Sequence, residues 1–185
     1  LMAKGKTPKR AREYVMGASL TALPKPDGNL RPVAAGGVLR RVVAKALWAG
    51  IKEDIKERLE PIHMGVGTSM GTETIVHGVR EWLERNAEEE DKVLGMLDLS
   101  NAFNELERSA FRKAVWEMMP SLAPWVDSCY GNTTALMMGA KRLHSRRGMQ
   151  QGDPLGPALF GMGIQGVIER ATSRTKDRYG KGAVD

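Results

Sequence analysis

Val93-Leu94-Gly95-Met96-Leu97-Asp98-Leu99-Ser100-Asn101-Ala102-Phe103 sets one carboxylate at the end of an apolar run and an aromatic ring five residues later. Val93, Leu94, Met96 and Leu97 predict a short buried strand, bounded by the acidic run Glu88-Glu89-Glu90-Asp91 and by a Ser100-Asn101 turn. Asp98 then stands where a strand meets solvent. A carboxylate buried there costs several kcal/mol unless it is paired, protonated or bound to a metal. A turn aspartate bonding its own backbone is the plainer reading of the same residue. The rest of the chain decides between the two.

Downstream, a helix is expected from about Glu107 to Met118, stopped by Pro120, and Pro124 opens another towards Tyr130. Thr134 to Met138 and Lys141 to Ser145, joined at Gly139-Ala140, read as a hairpin. Gln150-Gln151-Gly152-Asp153-Pro154-Leu155 follows, with Asp153 as helix cap and Pro154 at the first helical position, starting a helix through Leu159, Phe160, Ile164 and Ile168. This places Gln151 and Gly152 at the helix mouth.

Upstream, Ala18 to Leu23 and Leu30 to Ala34 flank Pro24-Lys25-Pro26-Asp27-Gly28-Asn29, a hairpin with Lys25 and Arg31 beside its turn and Pro32 confining the second strand to an edge. From Val38 to Leu59, Val38, Leu39, Val42, Val43, Ala46, Leu47, Ile51, Ile55 and Leu59 keep a helical period that leaves Arg40, Arg41 and Lys45 on the outer face. A Gly65-Val66-Gly67 loop connects to a helix near Thr72 to Asn86, with Ile75, Val76, Val79, Trp82 and Leu83 expected inward. That loop lacks the lysine of a nucleotide-binding P-loop.

The chain of 185 residues carries 28 Lys and Arg against 22 Asp and Glu, a net charge of +6 that favours polyanionic partners. Lys4, Lys6, Lys9, Arg10 and Arg12 cluster at the start, and Lys141, Arg142, Arg146 and Arg147 late. The single Cys129 excludes an intramolecular disulfide and a cysteine zinc site, and His63, His77 and His144 lack metal-ligand spacing. No signal-peptide pattern and no bilayer-spanning apolar run is found. A first residue Leu1 and an end in Lys181-Gly182-Ala183-Val184-Asp185 read as a segment of a longer polypeptide.

Four blocks in order resemble reverse transcriptases, particularly those of non-long-terminal-repeat retrotransposons and group II introns: Leu23-Pro24-Lys25-Pro26-Asp27-Gly28 to Arg31-Pro32; Gly65-Val66 and its helix; Leu97-Asp98 to Ala102-Phe103; and Gln151-Gly152-Asp153-Pro154-Leu155. The resemblance implies an α+β fold of polymerase right-hand fingers and a partial, RRM-like palm sheet. It divides the chain into a basic N-terminal arm (1–17), a fingers-like region (18–92), a palm-like region (93–171) and a basic C-terminal tail (172–185). It implies that Asp98 is a catalytic metal ligand with the Leu99 carbonyl beside it, and that Lys25 and Arg31 hold the triphosphate. Phe103 becomes the gate that crowds a ribose 2′-hydroxyl, and Gln151 and Gly152 the turn that contacts template and nascent base pair.

Magnesium, as two ions in the complete enzyme, an RNA template, a DNA primer and deoxynucleoside triphosphates are the implied cofactor and partners, with no membrane. The compartment stays unknown: an intracellular one is expected, with the nucleus, where retrotransposon enzymes usually meet their target DNA, as one option, and no residue run encodes a localisation signal. Asn104 stands where many relatives carry a second acid and Gly156 where a serine is common. The family's paired aspartates are not among these residues, so this segment alone is expected to be inactive. The rival readings are a non-catalytic reverse-transcriptase-like RNA-binding module (a maturase or scaffold), a viral RNA-dependent RNA polymerase, which would ordinarily lack Gln-Gly-Asp-Pro, and an unrelated α+β domain.

Overall fold

The computed structural model describes residues 1–179, and it is mixed α+β without a repeated strand-helix-strand unit. A 3-10 turn (Met2–Lys4) and helix α1 (Lys9–Met16) precede the hairpin β1 (Ala18–Pro24) and β2 (Leu30–Gly36). Helices α2 (Val38–Leu59), α3 (Gly71–Arg85), α4 (Ala102–Glu105), α5 (Arg108–Met118) and α6 (Ala123–Tyr130) follow. A second hairpin, β3 (Thr134–Met138) and β4 (Lys141–Ser145), leads to α7 (Gly156–Tyr179).

The two hairpins fuse into one four-stranded sheet of order β2-β1-β3-β4, through a short parallel pairing of Ala18 with Leu136 and Ser19 with Met137. Strands from both sides of the expected 92/93 boundary therefore share a sheet. β2 is an edge strand, so the amide donor missing at Pro32 breaks no central ladder. Its hairpin turns at Gly28, where φ is +81° and Lys25 N–H donates to the Asn29 carbonyl at 2.8 Å.

The core lies where α5, α6 and α7 pack with α2, around Phe111, Val115, Leu122, Trp125, Leu155 and Leu159. Gly163 lets α7 lie against α5, since a Cβ there would come within 2.9 Å of Phe111 Cβ. Among the described residues no helix is long and apolar enough to cross a membrane.

Four expectations are corrected. Residues 93–99 form no strand and are exposed, Leu97 by 97%. An apolar run becomes a strand only when another strand satisfies its backbone, and none of the sheet's four does so here. Asp98 is accordingly exposed rather than buried. In α2 the inward stripe is Arg40, Ala44, Ile55 and Leu59, with Leu47 and Ile51 packed against the core, while Val38, Leu39 and Val42 face outward. A buried acid across the molecule draws Arg40 inside, as described below. In α3, Ile75, Val76 and Leu83 are exposed, and only Gly71 is buried, because no other element is packed closely on that helix.

The basic start is partly ordered: α1 ends on Met16, which is fully buried. Residues 172–179 continue α7, and the remainder of the expected tail, 180–185, lies outside the described residues.

Candidate active site

The turn between β1 and β2 supplies two cations. Lys25 is half-buried and Arg31 exposed. Asn29 donates to Asp27 from its backbone at 3.0 Å and its side chain at 3.2 Å, closing the turn. Those hydrogen bonds hold the Asp27 carboxyl below the usual carboxylate range.

The loop 98–101 supplies the carboxylate. It ends at Asn101, whose φ of +54° is a left-handed conformation that asparagine tolerates, and its Oδ1 accepts from Asn104 Nδ2 at 2.6 Å. This reversal starts α4 and turns Phe103 inward. The Phe103 ring stacks on Phe160 with centroids 5.2 Å apart, and a Cβ at Gly156 would lie 3.3 Å from its Cε1. A serine at position 156 would press on that ring; glycine leaves it in contact.

These pieces meet. Lys25, Arg31, Asp98, Leu99, Phe103 and Gln151 line one pocket of about 590 Å³, together with Ser100 and Asn101. Gly152 is the exception among the expected site residues. It packs against β2, its N–H donating to the Ala34 carbonyl at 3.2 Å, and a Cβ there would sit 2.9 Å from that oxygen. Glycine at 152 thus lets the turn dock on the sheet and carry Gln151 into the pocket.

The turn is fixed from below by a buried polar network that sequence reasoning did not find. Arg40 donates to Asp153 Oδ2 at 2.8 Å and to the Met16 carbonyl at 2.8 Å, with both ionic side chains 2% exposed. Tyr130 donates its hydroxyl to the same carboxylate oxygen at 2.6 Å, and Asp153 Oδ1 accepts from Leu155 N–H at 3.0 Å. Asp153 was expected as the cap of a helix starting at Pro154; α7 starts at Gly156 instead, and Asp153 closes the turn before it and anchors an ion pair. Arg40 lies 4.9 Å and Arg108 5.4 Å from the Tyr130 ring centre. Arg108 gathers the Gly148, Asn132 and Ser145 carbonyls, tying β4 and the turn together.

Burial, with the Asp153 charge beside it, pushes the Tyr130 hydroxyl well above its ordinary value, so it stays a donor. Burial opposes the Arg40 charge, and the groups packed around it, with Asp153 as the ionised partner at 2.8 Å, outweigh that to raise the guanidinium further. The one available signal in the sequence was spacing. Arg40, Ala44, Leu47, Ile51, Ile55 and Leu59 step by three or four along one helix face.

A family profile described as reverse transcriptase (RNA-dependent DNA polymerase) matches residues 23–181. The chain belongs to the reverse transcriptase family. It is similar to the retrotransposable element SLACS 132 kDa protein of Trypanosoma brucei gambiense, 29% identical over 159 residues that cover 82% of this chain. The aligned part is 13% of that relative's length. Reverse transcriptases as a family use divalent metal ions. Among the described residues no cluster of three acidic, histidine or cysteine side chains stands close enough to hold one. Among the described residues of this reverse transcriptase chain, Asp98 is the pocket's one carboxylate.

Proposed function

We propose that the chain is the fingers and part of the palm of a retrotransposon-type polymerase, and that the longer protein carries out RNA-templated DNA synthesis. The observation that carries this reading is the single pocket in which Asp98, two cations, Phe103 and Gln151 meet. In it Asp98 and the Leu99 carbonyl contribute to holding magnesium, and further carboxylates are required to hold two ions. When bound, such ions supply activation of a primer 3′-hydroxyl and neutralisation of the leaving pyrophosphate.

The chain's own residues then act by position and charge. Lys25 and Arg31 draw the triphosphate against the hairpin and stabilise its developing charge. Phe103, held by Phe160, crowds the sugar and selects against a 2′-hydroxyl. Gln151 presents an amide to the nascent base pair, and Gly152 sets its height over β2. RNA template, DNA primer and deoxynucleoside triphosphates are the corresponding partners.

Primer extension on an RNA template by the full-length protein tests the assignment of Phe103. Phe103→Ala is expected to raise incorporation of ribonucleotides relative to deoxyribonucleotides by at least about tenfold, the scale of a steric pocket contact. Unchanged sugar selection removes that role. A second reading, an RNA-binding module without chemistry, is favoured by one observation: among the described residues Asp98 is the one carboxylate lining the pocket.

A further inference from the structure

The segment 147–150, which leads into the Gln151-Gly152 turn, has two sides with different work to do. Its inner side is fixed to the core. Gly148, Met149 and Gln150 are buried, the Gly148 carbonyl accepts from Arg108 Nε at 2.9 Å, and Gln150 N–H donates to the Tyr130 hydroxyl at 3.3 Å. Its outer side holds α4. Met149 N–H donates to the Phe103 carbonyl at 2.8 Å, and Gly148 N–H to the Leu106 carbonyl at 3.1 Å. Arg147 adds ion pairs of 2.9 Å each to Glu105, the last residue of α4, and to Glu107, the cap of α5.

The two pieces approach so closely that the contact needs glycine. Gly148 has a φ of +64°, and a Cβ on it would lie 2.5 Å from the Asn104 Cα and carbonyl carbon. Those are backbone atoms, so no change of rotamer relieves the overlap. The bonding decides which side gives way. The segment 147–150 is tied to Arg108 and Tyr130, whereas α4 is four residues long and hangs from the exposed loop 92–101. A side chain at 148 therefore displaces α4, and Phe103 moves with it. Neither Gly148 nor Arg147 lines the Asp98 pocket, so each acts on it through α4.

We propose that Gly148, with Arg147 beside it, is the positioning residue for the Phe103 gate: it seats α4 so that the ring keeps a fixed spacing from Gln151, three residues further along the same segment. The proposal rests on the reading of Phe103 as the residue that selects the sugar. Exposed ion pairs contribute little to stability, so the close backbone contact at Gly148 carries the larger share of the seating.

The test is single-nucleotide primer extension by the full-length protein, reading kcat/KM for a deoxyribonucleotide over that for the matching ribonucleotide, with the thermal midpoint of each variant measured alongside. Gly148→Ala is expected to lower that ratio several-fold, short of the about tenfold loss expected of Phe103→Ala. Gly139→Ala is the control, because Gly139 has a similar φ of +58° and open space where its Cβ would stand. Its ratio is expected to stay at the starting value. Arg147→Glu, at an exposed position that the fold tolerates, sets like charges together and serves where Gly148→Ala does not fold. Its ratio is expected to fall, and to recover when Glu105→Arg is added. Combined with Phe103→Ala, neither change is expected to lower the ratio further, since residues that act through one group are not additive. A fall that adds in full to that of Phe103→Ala, or an equal fall in Gly139→Ala, overturns the proposal. An unchanged ratio in Gly148→Ala and Arg147→Glu beside a lowered one in Phe103→Ala also overturns it and leaves the Phe103 assignment standing. An unchanged ratio in Phe103→Ala overturns both.

Discussion

At the scale of single residues, Arg40 and Asp153 matter more to the site than their positions in the sequence suggest. The Gln151-Gly152 turn is held over the sheet because Asp153 beneath it is paired with Arg40 and Tyr130. Breaking a buried pair by removing one member leaves a charge without compensation, which costs about 3–5 kcal/mol. Arg40→Met is expected to lower stability by that amount in urea denaturation, although methionine fills much the same space. A loss below about 1 kcal/mol would mean that Tyr130 alone satisfies Asp153. Lys25, Arg31, Asp98, Phe103 and Gln151 were singled out by the resemblance of their motifs to reverse transcriptases, and the fold brings them to the wall of one pocket. Arg40 was not singled out. An arginine among polar neighbours on a helix reads as solvated until the acid that faces it, from another part of the chain, is in place.

At the scale of elements, the hairpins and the helices α2, α5, α6 and α7 were readable, because each is stamped by periodicity or a proline boundary. The strand expected at 93–97 was not, for strand formation depends on a neighbour that local sequence does not reveal. The rotation of α2 was missed for a related reason: a helical period fixes spacing, and long-range contacts choose which stripe goes inside.

The junction of α2 with α7 also carries a pH dependence. His63, half-buried in the turn after α2, lies 3.5 Å from where a Cβ at Gly161 would be. Burial holds its imidazole below the ordinary 6.5, against a smaller opposite pull from Gln165. The unfolded chain then takes up the proton first as pH falls. Stability is full above about pH 6.5 and declines from there towards the lower folded value. The drop in thermal midpoint between about pH 7.5 and pH 5.5 is expected to shrink in His63→Asn. An identical drop in the variant would remove His63 from the acid-side loss.

At the scale of the whole molecule, the reverse transcriptase segment has a well-packed half and an open one. The core around Phe111, Trp125 and Leu159 is closed, whereas Val93, Met96 and Leu97 lie exposed and α3 turns Ile75 and Val76 to solvent. The Asp98 loop belongs to the open half, and among the described residues no second carboxylate lines its pocket. The isolated segment is therefore expected to extend no primer above a no-enzyme control, and extension by it would show that one carboxylate suffices.

The central claim, that Asp98 takes part in RNA-templated DNA synthesis, is met most directly by Asp98→Ala in the full-length protein, assayed for primer extension and RNA binding side by side. Asp98 is exposed and makes no ion pair among the described residues, so the fold is expected to tolerate the change. Extension lost with RNA binding retained is the expected result. Near-normal extension by the folded variant would contradict the claim.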